Sequence, residues 1–75
     1  MITATERLMR LFRKHRSAFS IEGLPDGKVH ITVSNDYGSF QDVAGGDFDN
    51  LDEGINECIN QLETRARKRS IKEIK

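Results

Sequence analysis

Three side chains in this sequence could hold a soft metal or form a nucleophile–base pair: His15, His30 and Cys58. None stands in a CxxC, HxxxH or HExxH spacing, the patterns that bring two ligands onto one face at bonding distance. His15 falls on the apolar face of a helical segment and reads as a core or boundary histidine. His30 points from the solvent side of a strand. Cys58 lies within an apolar stripe, where a buried cysteine behaves as a small hydrophobe. The aspartates Asp42, Asp47, Asp49 and Asp52 raise the question of a Ca²⁺ loop, but the alternating oxygen ligands, the central Gly and the closing Glu are missing. Gly45-Gly46 precedes a helix start, where free amides attract anions. The surrounding aspartates would repel a phosphate, so this segment reads as a turn and cap. The expectation is a non-catalytic chain that needs no metal and no cofactor.

Charge is the stronger signal. Twelve cations and twelve acids give zero net charge, yet they are sorted along the chain. Residues 29–64 hold no Lys or Arg and eight acids, while residues 65–75 hold six cations against Glu73. Such sorting sets up opposed fields, which govern partners and association rates rather than fold. The acidic run predicts a surface of Asp42, Asp47, Asp49, Asp52, Glu53 and Glu57 that docks onto a basic protein, one that normally holds nucleic acid. Tyr37 and Phe40 are its candidate apolar anchors. The alternative uses the cations: Arg7, Arg10, Arg13 and Lys14 on one helix face, with Arg67 and Lys68 in the tail, would grip nucleic-acid phosphates. The basic tail has no aromatic residue, and Phe12, between the cations of the first helix, falls on its apolar face, so base stacking has no platform in either segment.

The elements that must carry these surfaces follow from periodicity. Thr3 and Glu6 have capping-box spacing, and Ala4, Leu8, Leu11, Phe12 and His15 share a face, predicting a helix over about 3–17. Phe19 and Ile21 alternate with polar neighbours, and Pro25-Asp26-Gly27 supplies a turn. Val29, Ile31 and Val33 form a second strand. After the Asn35–Gly38 turn, a third is expected near 39–44, ended by Gly45-Gly46. Asp49 or Asn50 caps a last helix with the stripe Leu51, Ile55, Cys58, Ile59, Leu62 and Ala66. The predicted class is α+β, a three-stranded antiparallel sheet with two helices on one face in the order α-β-β-β-α. Residues 1–75 form one domain, and the expected core is Leu8, Leu11, Phe12, Phe19, Ile21, Val29, Ile31, Val33, Leu51, Ile55, Ile59 and Leu62. No apolar run approaches the roughly 18 residues of a membrane span, no signal segment is present, and one cysteine makes no internal disulfide. These features predict a cytoplasmic protein with no membrane contact.

Ile71 and Ile74 fall off the last helix's stripe. Either the helix frays near Ser70, or the two isoleucines bury against a second copy, in a homodimer in which the acidic 36–57 segment of one copy faces the basic 65–75 segment of another.

The element order and the pattern from Val29 to Leu62 resemble a double-stranded RNA-binding domain. That family grips phosphates with lysines at the start of its last helix, where this chain has Asp49-Asn50-Leu51-Asp52-Glu53. The resemblance therefore implies the shape and not the duplex contact. Phe40 to Leu62, with Phe48-Asp49-Asn50-Leu51-Asp52-Glu53-Gly54-Ile55, is also similar to HicB-type antitoxin domains, which neutralise a small RNA-binding toxin. A compact chain with segregated charge further resembles the small inhibitors of phages and other mobile elements, anti-CRISPR proteins among them.

Overall fold

The computed structural model describes residues 2–74, with side chains for 2–69. It has the order α1 (Ala4–Lys14), β1 (Arg16–Gly23), β2 (Val29–Asp36), β3 (Gln41–Phe48) and α2 (Leu51–Ile74). Thr3 caps α1, its Oγ1 accepting the Glu6 amide at 3.1 Å, which satisfies a donor that the helix itself cannot. The helix ends three residues before the apolar spacing predicts. His15 turns to extended backbone at φ −135° while its N–H still donates to the Leu11 carbonyl at 3.0 Å. Beyond it, pairing with β2 outcompetes a further helical turn: Ser17 reaches the buried Asn35 Oδ1 at 2.6 Å and Phe19 lies opposite Val33.

The strands form an antiparallel meander in the order β1-β2-β3. Gly27 (φ 88°) closes the first turn and Gly38 (φ 90°) the second, both in the left-handed region that disfavours a Cβ. Asp26 and Asp36 brace these turns, accepting the amides of Lys28 and Gly38.

The third strand runs through Gly45-Gly46 to Phe48 instead of stopping there. At these positions glycine permits close approach. A Cβ on Gly45 would lie 3.0 Å from the Ile31 carbonyl, and one on Gly46 would lie 3.2 Å from the Phe48 ring.

Residues facing each other across the sheet share a face, so Ile31, Val33, Ala44, Gly46 and Phe48 look toward the helices. α2 lies over β2 and β3, and α1 packs beside it toward β1. Ala4, Leu8, Ile31, Val33, Ala44, Ile55, Cys58, Ile59 and Leu62 form the core, with Leu11, Phe12, Phe19, Val29 and Phe48 packed partly against it. Two expected core residues are exposed instead. Leu51 precedes the point where α2 meets the sheet. Ile21, 48% exposed, lies beyond the part of β1 that α1 covers. The opposite face of the sheet carries Ala18, Ser20 and Glu22, then His30, Thr32 and Ser34, then Val43, Gly45 and Asp47, and no element of the described chain covers it.

No described helix is long and apolar enough to cross a membrane. The contacts suggested for Ile71 and Ile74 lie outside the described side chains.

Candidate functional site

The fold converts sorting along the sequence into sorting along the molecule, whose extents are 45 × 25 × 19 Å. One end holds the end of β3, the start of α2 and the β1–β2 turn. Asn50 caps α2, its Oδ1 accepting the Glu53 amide at 2.8 Å. Asp52 and Glu53 sit in the first turn, where a carboxylate is favoured by the helix dipole. Asp47, on the open face, meets His30 Nδ1 at 2.6 Å. Asp49, Asp52, Glu53 and Glu57 are exposed and make no ion pair among the described residues.

Asp42 does not belong to this group. It lies five positions up β3 from Asp47, about 17 Å along the strand, and odd spacing puts it on the opposite face. There its carboxylate, only 11% exposed, takes Arg65 at 3.0 Å and Arg69 at 3.1 Å. Arg65 also donates to the Val43 carbonyl. Tyr37 and Phe40 likewise leave the acidic surface. They stack on one another at the β2–β3 turn, with the Arg69 guanidinium 5.5 Å and 4.6 Å from their ring centres. The anchors assigned to the acidic surface therefore stand at the other end of the sheet. Turn residues 37–40 close the strand end that α2 reaches only in its second half.

That other end is basic. His15 packs edge-on against Tyr37 at 4.9 Å, which brings the end of α1 to the same turn as Arg65 and Arg69. Arg10, Lys14, Asn35, Tyr37, Leu62 and Ala66 are among the residues lining a groove of about 340 Å³ between the helices. Arg13, Lys14 and Arg16 border a second, shallower hollow beside it. Asn35 is buried but satisfied, accepting from Ser17 and donating to the Tyr37 hydroxyl at 3.2 Å.

Arg7 departs from the expected solvent-facing basic row. It turns toward α2 and donates to Asn56 at 2.7 Å and Asn60 at 2.9 Å, with Glu63 at 3.5 Å. Arg10, Arg13, Lys14, Arg67 and Lys68 remain exposed.

His15, Asn35, Arg65 and Arg69 were not singled out as a site by sequence reasoning. The available signal was the Arg65/Arg69 spacing of four, which stacks two guanidiniums on one side of a helix.

Cys58 is buried, with Sγ 3.9 Å from the Ile31 carbonyl. Burial, and then the neighbouring Glu57 charge, push its thiol pKa up, away from the reactive thiolate. Among the described residues no three His, Cys, Asp or Glu side chains converge on a metal position. Comparison with family models, curated proteins and solved structures finds no match for this chain.

Proposed function

We propose that this chain is a non-catalytic cytoplasmic binding protein whose acidic end docks onto a basic, nucleic-acid-handling protein. It would act as a small inhibitor or adaptor of the antitoxin or anti-CRISPR kind carried by phages and other mobile elements. One observation carries this reading: Asp49, Asp52, Glu53 and Glu57 are exposed at one end without a cationic partner among the described residues, whereas Asp42 and Glu63 are paired. An uncompensated patch of one sign steers association with a surface of the other and makes it salt-sensitive.

The test is capture of a partner from lysate of the source cell, compared between the native chain and the triple variant Asp49→Lys, Asp52→Lys and Glu57→Lys. The captured protein is expected to bind the variant at least about tenfold more weakly, a change of roughly 1.4 kcal/mol. Its affinity for the native chain should fall steeply with salt. Asp42→Ala should bind as the native chain does, because that carboxylate is already occupied. Undiminished capture by the triple variant would overturn the reading.

A second reading is favoured by the other end, where the His15–Tyr37 contact brings the end of α1 to the turn that Arg69 of α2 covers, some fifty positions later in the sequence. Arg10, Arg13, Lys14, Arg67 and Lys68 would there contact nucleic-acid phosphates. Filter binding of duplex RNA and duplex DNA at two salt concentrations is expected to show a slope that flattens by about one for each phosphate contact removed, as in Lys14→Glu. Absence of binding at low salt would end this reading.

A further inference from the structure

The two edges of the sheet are treated differently by the rest of the chain. At the β3 edge, Arg65 donates to the Val43 carbonyl, and the strand carries a glycine pair where side chains would stand. The β1 edge is less protected: Arg16–Gly23 contains no Pro and no Lys, its two charges, Arg16 and Glu22, stand near its ends, and it pairs residue for residue with β2 without a bulge. Among the described residues no backbone group pairs with its outward row of donors and acceptors.

Apolar side chains flank that row. Ile21 is 48% exposed on the helix side of β1, and Phe19 beside it is half-buried. Met9, 44% exposed, stands two residues after Arg7, about 200° round the helix. Since Arg7 faces α2, Met9 faces away from it, toward the β1 side.

We propose that the β1 edge is a self-recognition surface: a second copy of this chain adds its own β1 antiparallel, about a two-fold axis at Phe19, to make a six-stranded sheet. The occupant is identified by charge. β1 starts with Arg16 at the basic end and finishes with Glu22–Gly23 at the acidic end. Antiparallel pairing centred on Phe19 sets Arg16 opposite Glu22 of the second copy, and the two-fold repeats the pair. Both side chains project from the open face, where facing opposite charges stabilise a register and like charges oppose it. Phe19 meets its own copy on the helix side, with Ile21 diagonal to it, so the exposed apolar residues gain a neighbour. On the scale of the whole molecule, the same symmetry lays each acidic end alongside the other copy's basic end. This inference is independent of the docking proposal, since Asp49, Asp52 and Glu57 take no part in the paired strands.

Analytical ultracentrifugation of the full chain from about 5 to 200 µM in low salt, a range bracketing weak self-association, tests it. The native chain is expected to approach twice its 8.5 kDa mass. Arg16→Glu and Glu22→Arg, each placing like charges face to face, are expected to sediment as monomers. The double variant Arg16→Glu/Glu22→Arg restores the opposite-sign pairs and is expected to recover the dimer. Both positions are exposed, and circular dichroism verifies that each variant is folded. A native chain that stays monomeric throughout would overturn the proposal, as would a dimer that neither single variant weakens.

Discussion

Gly54→Val is expected to lower the stability of this domain by about 3 kcal/mol, read as a fall of roughly 12–24 °C in the thermal midpoint of so small a domain. The cause is how closely α2 lies on the sheet. A Cβ at position 54 would stand 2.7 Å from Cδ2 and 3.0 Å from Cγ of Phe48, and closer still to Cδ1 of Ile31. Ile31 has no exposed surface, so its side chain has no free volume into which to swing. Gly54→Ala separates the competing effects. Alanine gains about 1 kcal/mol of helix propensity over glycine, which offsets much of the cost of a single added carbon. Valine adds two more carbons without that compensation. A midpoint for Gly54→Val within a few degrees of the native value would show that the helix stands farther from the sheet than described. A 75-residue domain holds roughly 4–11 kcal/mol in total, so the valine variant should also open far more often.

The next largest effect is expected at Asp42. Removing its carboxylate by Asp42→Ala leaves Arg65 and Arg69 without the acceptor that ties the second half of α2 to β3. The arginines are 44% and 36% exposed and can turn to water. The loss is therefore about 2 kcal/mol, short of the roughly 3–5 kcal/mol of a fully buried pair. The effect is local as well as global: amides from about Arg65 onward should exchange faster with solvent, while those around Ile55 to Ile59 keep their order of protection. Asp42→Asn, which retains one acceptor oxygen, should recover part of the loss. Equal exchange rates along α2 in Asp42→Ala would mean that the helix needs no such anchor.

The order α-β-β-β-α was legible because each element announces itself locally: the Thr3–Glu6 cap, the alternation of Val29, Ile31 and Val33, and the stripe from Ile55 to Leu62. What could not be read were features decided between elements. The glycine pair in β3 looks like a terminator when only chain flexibility is weighed; it persists as strand because Gly45 and Gly46 stay in register opposite Thr32 and Ile31, at positions where Phe48 and the Ile31 carbonyl leave little room for a Cβ. The face of Asp42 was hidden for a related reason. Over residues 42–46, β3 alternates Asp42, Ala44 and Gly46 with Val43 and Gly45, so the largest apolar residue of that stretch, Val43, is the one left 50% exposed. With hydrophobicity divided between the two faces near Asp42, the arginines of α2 and the packing of Phe48 at the strand's end decide which side of β3 is inward. Arg7 illustrates the converse. Its charge suggested solvent, but Asn56, Asn60 and Glu63 line up along α2 to receive a guanidinium, and no single-helix pattern contains that information.

The placement of acids at one end and bases at the other makes this chain a large electric dipole with no monopole. Its isoelectric point of about 6.7 suggests a molecule indifferent to ion exchangers near neutral pH. An adsorbent bead, however, senses the end presented to it and not the sum. At a pH where the total charge vanishes, the protein should be retarded by quaternary-ammonium and sulfonate resins alike, standing on opposite ends in the two columns. In suspension the same asymmetry would produce a dielectric increment far above that of an evenly charged globule of equal mass. Near its isoelectric point such a molecule attracts its own kind through oriented dipoles, and added salt, by shortening the reach of that field, should raise its solubility.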